Sequence, residues 1–385
     1  MYGKGFVGRL IKAMYGTRAA PLVWQKVVRR TMLALGFQMN PIFPCLYYHP
    51  EYDVTVITHV DDFLCSGEKK HLLWLREMIS LEFDLKGDVL GNLPDEKPEI
   101  SFLGRTIRIT GEGIELESDP KHAKILLEEW KMEDAKSVSS PGTSEEKANL
   151  EVKKMEEELL GDGESKTYRR AAARINYMAL DRGDLSYSAK EASRGMARPT
   201  QGDVVRLKRI LRYLKGSPRV VNLVAWQDAN SPWTTYSDSD WAGCAKTRKS
   251  SSGGMIMRGG HLLSHWASTQ ATIALSSAEA ELNALVKAIS ESLGIQNMMK
   301  EMGKKVQFRV LTDSSAANGM VHRLGAGKVK HLEARQLWVQ QVVSTKELLV
   351  QKVPRELNLS DSLTHNWSVV DASKHFAKAG LRWKE

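Results

Sequence analysis

Residues 236–243 read YSDSDWAG, with two aspartates two positions apart at the end of the run WTTYSD, 233–238. β-Branched and aromatic residues in that run predict a strand. Burying one carboxylate at a strand end is costly, and burying two is worse. The stretch therefore asks for a cation, and the pattern recurs downstream. Asp313 ends a second strand-like run, QFRVLTD, and Asp361 follows a third, ELLVQKV, inside NLSDSLTHNW. Glu281 lies on a long helix expected from 277 to about 302, in SSAEAELNALVKAI. GGMIMRG and HLLSHWAS supply two further strands, so this last third predicts an α/β sheet of five strands.

Acids at the carboxyl ends of strands in such a sheet point into one crevice. Their mutual repulsion favours a divalent ion, and hard oxygen ligands select Mg2+ or Mn2+ over zinc. Two such ions about 4 Å apart form the clamp used for in-line attack on phosphodiesters. Aspartate also ends strands simply because it favours turns. Spacing does not choose the helix acid: Glu279 and Glu281 flank the apolar stripe Ala278, Leu282, Leu285 and Ile289 almost symmetrically.

The 385 residues exceed one ordinary core and suggest two or three domains. With 42% hydrophobic and 26% charged residues the composition is that of a globular protein. No apolar run approaches the ~20 residues that span a bilayer, and no signal peptide is read at the start. Cys45, Cys65 and Cys244 fit neither a disulfide framework nor a zinc knuckle, which points to a reducing compartment. A formal net charge of +9 favours a polyanionic partner, or serves only to solvate the surface.

Upstream, WQKVVRRTMLALGF has helical spacing, DVTVITHVDDFLCSG reads as strand, tight turn and strand, and KKHLLWLREMISLEF as helix. ISFLGRTIRIT is strand-like, and DPKHAKILLEEWKM opens with a helix start signal. A polar, charged stretch at 141–166 reads as a solvated linker. Two amphipathic helices follow, and the basic face of GDVVRLKRILRYLKGSP, including Arg209 and Arg212, suits either nucleic acid or water.

YSDSDWAGCAKTRKSSSG, ALSSAEAELNAL, VLTDSSAA, KVKHLEARQLWVQ and NLSDSLT, in this order, resemble the ribonuclease H domain of Ty1/copia-type retrotransposon polyproteins. KAMYGTRAAPLVWQ, HVDDFLCSG, YRRAAARINYMAL, DRGDLSYSAKEASRGM and LKRILRYLKGS resemble the reverse transcriptase and connecting region of the same polyproteins. The resemblance implies a metal-binding set of Asp238, Glu281, Asp313 and Asp361, with Asp240 as runner-up to Asp238 and Glu281 preferred over Glu279. It further implies two Mg2+ or Mn2+ ions and hydrolysis of the RNA strand of RNA–DNA hybrids. His331 matches a family position without an assigned role, and Arg248 and Lys249, with Lys246, are candidate phosphate contacts.

HVDDF looks like the family's catalytic turn, which makes Asp61 and Asp62 polymerase metal ligands. His59 stands where the family has Tyr, Ala19 where it has Gln, and nothing before Met14 resembles its first catalytic Asp. Polymerase activity is therefore expected to be lost through N-terminal truncation unless a missing part is supplied elsewhere. A catalytically inactive nucleic-acid-binding relic is the alternative to the nuclease. The expected architecture is a partial palm and thumb at 1–140, the linker at 141–166, a helical connection at 167–228 and a ribonuclease H-like domain at 229–375. The family works inside cells, in cytoplasm and nucleus, and the chain shows no address of its own.

Overall fold

The structure, a computed structural model, describes residues 11–143, 155, 158–327, 329–331 and 334–384. The chain packs into two units, one of residues up to Asp88 with Asn297–Lys305, the other of Val89–Gln296 with Val306–Glu385. Most of the expected linker, 144–154 and 156–157, lies outside the described residues.

In the first unit, helix α1 (Ala20–Ala34) carries a proline in its first turn, where the missing N–H costs no hydrogen bond. It buries Val28 and Met32. Strands β1 (Gln38–Met39), β2 (Leu46–His49), β3 (Val54–His59) and β4 (Asp62–Ser66) form an antiparallel sheet in that order. Val54 and Val56 point inward and are fully buried, as the alternation of VTVITHV requires. Helix α2 (Lys69–Ser80) adds Leu75 and Ile79 to this core. The β3–β4 turn is tight, with His59 opposite Asp62 and Val60 at φ +56°. A β-branched residue is strained there, and the Trp24 indole holds it by donating to the Val60 carbonyl.

The second unit begins with β5 (Glu99–Phe102), β6 (Arg105–Ile109) and β7 (Gly113–Glu117), then helices α3 (Lys121–Glu129), α4 (Asp162–Met178), α5 (Ser186–Arg194) and α6 (Gln201–Gly216). Strands β8 (Arg219–Ala225), β9 (Trp233–Ser239), β10 (Ser251–Arg258) and β11 (His261–Thr269) precede helix α7 (Ser277–Glu301), whose residues from Asn297 on are counted with the first unit. Strand β12 (Phe308–Thr312), helices α8 (Ser315–Val321) and α9 (Ala334–Ser344), β13 (Leu349–Lys352) and β14 (Leu381–Lys384) complete it. One sheet is antiparallel, ordered β14-β8-β7-β6-β5. The other is mixed, ordered β11-β10-β9-β12-β13, with β9, β12 and β13 parallel. The protein is thus of mixed α/β class.

The structure refines three readings. ISFLGRTIRIT is two strands, because Leu103 and Gly104 both take left-handed φ and turn the chain into a β5–β6 hairpin. Residues 219–225, grouped with the helical connection, are strand β8 and pair with β7 and β14. Residues 89–140, grouped with the palm, belong with the second unit.

The mixed sheet is covered on both faces. On one side Ile256, Phe308 and Val310 pack on Leu282, Leu285 and Ile289 of α7 and on Val339 of α9. Met255 and Met257 join the other core, with Leu185, Leu363, Trp367 and Phe376. Beneath it lies a buried polar knot. Arg182, Asp184 and Tyr213 are essentially solvent-free. Arg182 donates to both Asp184 oxygens, at 2.7 Å from Nη2 to Oδ2, and Tyr213 donates to Oδ2 at 2.7 Å.

Candidate metal centre

Parallel pairing sets Thr312 opposite Ser237. The next residues along, Asp313 and Asp238, therefore leave neighbouring strands side by side, at a strand spacing of about 4.8 Å. Glu281 stands near the start of α7, where the Ser239 N–H donates to its Oε1 at 3.3 Å. Asp238, Glu281 and Asp313 each offer an oxygen within 4.8 Å of the others. They line a cavity of about 420 Å3 with Ser239, Asp240, Arg355, Asp361, Thr364 and His365.

Core packing, not loop chance, sets this geometry. The buried Leu282, Leu285 and Ile289 fix α7 on the sheet. Gln270 Nε2 ties the helix start to β10 by donating to the Ala280 carbonyl at 2.8 Å and to Ser252 Oγ at 3.0 Å. Opposite, Asn358 is fully buried and donates to the Ser237 carbonyl at 3.1 Å. That anchor brings Thr364 within 2.6 Å of Asp238 Oδ2, to which its hydroxyl donates. Gly253, paired with Asp238 across the sheet, makes the approach feasible: a Cβ there would meet Leu363 Cβ and Thr364 Cγ2 at 2.9 Å.

Burial dominates the electrostatics. It pushes Asp238 up to about 7, against the Thr364 hydrogen bond and with help from Asp361 and Asp313. Burial, then the Asp238 charge, pushes Glu281 up to about 8. Asp313 is raised as well, again mainly by burial. Glu281 Oε2 is buried without a hydrogen-bond partner. Converging carboxylates with an orphaned oxygen are a donor set of hard ligands, which fits Mg2+ or Mn2+.

A pH dependence follows. Folded-state values of about 7 and 8 exceed the ordinary 3.8 and 4.5. The stability gained by keeping these acids protonated is complete below the ordinary values and vanishes as pH rises through the folded ones. The metal-free protein should lose melting temperature between about pH 5 and about pH 8.5, and Mg2+ should restore more of it at the upper end. Thermal scans of wild type and Asp238→Asn check this, the variant showing the smaller fall.

Of the remaining sequence candidates, Asp361 and Asp240 also line the cavity and the others lie elsewhere. Asp361 lines the cavity but lies outside the close set, facing Arg355 at 3.8 Å and His365 at 3.7 Å. Asp240 is turned to β10, where its carboxylate accepts from the Ser251 N–H and hydroxyl. Glu279 accepts from the Leu275 N–H at 2.8 Å and meets exposed His331 at 2.9 Å, so it faces away from the cluster. Arg209 and Arg212 bind Ser140 Oγ and the Lys136 carbonyl, at 3.2 and 2.6 Å, and pin that segment on α6. Arg248 is exposed and Lys249 half-buried on the loop after β9. Asp61 and Asp62 are exposed on the first unit's β3–β4 hairpin. Sequence reasoning missed Asn358, Thr364, Arg355 and His365. Their contacts join segments as much as 126 residues apart, and no periodicity encodes that.

Residues 3–144 match the family model described as reverse transcriptase (RNA-dependent DNA polymerase). The chain is 28% identical over 374 residues to the retrovirus-related Pol polyprotein from transposon TNT 1-94 of Nicotiana tabacum, covering 94% of this chain and 27% of that protein. An uncharacterized mitochondrial protein of Arabidopsis thaliana is 30% identical over 237 residues, 61% of this chain and 92% of its own length. The chain belongs to the Ty1/copia-type retrotransposon Pol polyproteins. It spans about a quarter of the length of the Pol polyproteins it matches. Within this Pol family the matched reverse transcriptase region covers the Asp61–Asp62 hairpin, and the acid cluster lies beyond it. The foamy viral protease-reverse transcriptase, solved with double-stranded DNA, aligns over 89% of this chain and 60% of that one, at 13% identity and a TM-score of 0.49.

Proposed function

We propose that the second unit is a divalent-metal-dependent ribonuclease H that hydrolyses the RNA strand of RNA–DNA hybrids. The observation that carries this reading is the convergence of Asp238, Glu281 and Asp313 at two parallel strand ends, with Glu281 Oε2 left unpartnered. Asp238, Glu281 and Asp313 would hold the metal, with Asp361 completing the set from across the cavity. Two bound ions would supply an activated water and neutralise charge on the departing 3′ oxygen. The chain's own contribution is preorganisation: Thr364 fixes the Asp238 carboxylate, the Ser239 N–H fixes Glu281, and α7 keeps the acids at one spacing. The +9 net charge favours a nucleic-acid partner, and recognition of 2′-hydroxyls would confine cutting to RNA.

The test is an end-labelled hybrid incubated with purified protein and Mg2+ or Mn2+. Cutting of the RNA strand, with the DNA strand intact, is expected. Binding without cutting in either metal would make the protein a catalytically inactive relic.

For the first unit, Asp61 and Asp62 stand as two polymerase ligands. Among the described residues, the close three-acid set is Asp238, Glu281 and Asp313, and no third acid joins the hairpin pair. Two-metal nucleotidyl transfer needs a ligand bridging both ions. The described residues therefore supply two of the ligands this transfer needs, and we expect no primer extension on an RNA template from them alone. Measured extension would overturn that.

A further inference from the structure

We propose that Arg355 is a phosphate-positioning residue held in reserve by Asp361 until metal binds; this rests on the metal-dependent nuclease reading. Arg355 and His365 are the two basic side chains lining the cavity among the described residues, and only Arg355 is permanently charged. Its Nη2 stands 3.8 Å from Asp361 Oδ1, while His365 Nε2 stands 3.7 Å from Oδ2. Both separations exceed hydrogen-bond length. These are loose pairs that hold a carboxylate without locking it.

Exposure separates the partners. The Arg355 side chain is 79% exposed and Asp361 17%. The arginine is therefore free to swing at the cavity mouth, while Asp361 is fixed in the short turn Asp361–Leu363 by the Asn358 anchor. The charge of Arg355 reaches the cluster: it opposes the upward push of burial on both Asp238 and Asp313. Lys352, which also acts on Asp313, is bonded at 2.6 Å to Ser315 Oγ and does not line the cavity.

Charge arithmetic gives the sequence of events. Of the five carboxylates lining the cavity, Asp240 is taken up by Ser251 and countered by Lys190, while Asp238, Glu281, Asp313 and Asp361 carry four negative charges when ionised, which two divalent ions balance. The scissile phosphodiester then arrives with a negative charge of its own. Once Asp361 turns to metal, the guanidinium loses its partner at the place where that phosphate must sit. A planar fork suits phosphate oxygens.

Arg355→Ala should therefore act in opposite directions on two measurements. Without nucleic acid, Mg2+ should bind about three-fold tighter by calorimetry, because a competing surface ion pair has gone. In hybrid cleavage, KM should rise about ten-fold with a smaller change in kcat. Arg355→Lys, which keeps the charge but not the fork, should recover part of the KM. Unchanged KM, or Mg2+ binding that stays the same or weakens, overturns the proposal. Wild-type protein that binds no Mg2+ would instead overturn the nuclease reading on which it rests.

Discussion

Asp313→Asn should lower metal-dependent hybrid cleavage by on the order of 10^3-fold, the scale of losing one group that stabilises transition-state charge. The substitution is nearly isosteric, at the end of β12, so the backbone has no reason to move. Ser314, which caps α8 by accepting the Ala317 N–H at 3.1 Å, is untouched. What changes is one ligand charge beside Asp238 and Glu281. Hybrid binding should persist, because phosphate attraction comes from basic residues spread over the surface. The metal-free variant should also melt higher than wild type, since one of three mutually repelling acids has been neutralised. Gel shifts and cleavage assays on the same preparation separate these effects. Cleavage within about two-fold of wild type would remove Asp313 from the chemistry.

The largest stability effect should come from Asp184→Ala, far from the acid cluster in sequence. Arg182 would keep its hydrogen bond to the Ser217 carbonyl, 3.1 Å away, but lose its only buried counter-charge among the described contacts. Tyr213 would lose its acceptor as well. Breaking a buried pair from one side costs about 3–5 kcal/mol. The knot also touches the site: the Trp367 indole donates to the Asp184 carbonyl at 2.9 Å, just beyond the segment that carries Asp361 and Thr364. Urea unfolding measures the loss. A cost below about 1 kcal/mol would mean that water or backbone compensates the guanidinium.

How much of this was legible depends on which interactions are local. The five strands of the mixed sheet were readable because each is a short apolar or β-branched run closed by turn residues. The hairpin at Leu103–Gly104 was not, because leucine rarely signals a left-handed turn. Strand β14, LRWK, alternates apolar and polar residues over only four positions, the shortest run that argues a strand. Strand β8, RVVNLVA, was grouped with the helical connection although Gly216, Ser217 and Pro218 break the chain before it. At the site, position marked the strand-end acids without deciding their role, since aspartate also ends strands by favouring turns. Glu279 and Glu281 could not be separated by spacing, and the structure separates them by partner: Leu275 and His331 for one, Ser239 and the cluster for the other. The basic stripe on α6 stayed open in sequence, and the structure adds that Arg209 and Arg212 bond Ser140 and Lys136. An arginine that holds a neighbouring carbonyl looks, in sequence, the same as one facing a phosphate.

The most direct measurement is an anomalous difference map from crystals soaked in Mn2+ at about pH 8, where the acids release their protons. The account predicts manganese peaks about 2 Å from oxygens of Asp238, Glu281 and Asp313, with Asp361 drawn toward the metal. Manganese bound elsewhere on the protein, with nothing among these three carboxylates, would contradict it.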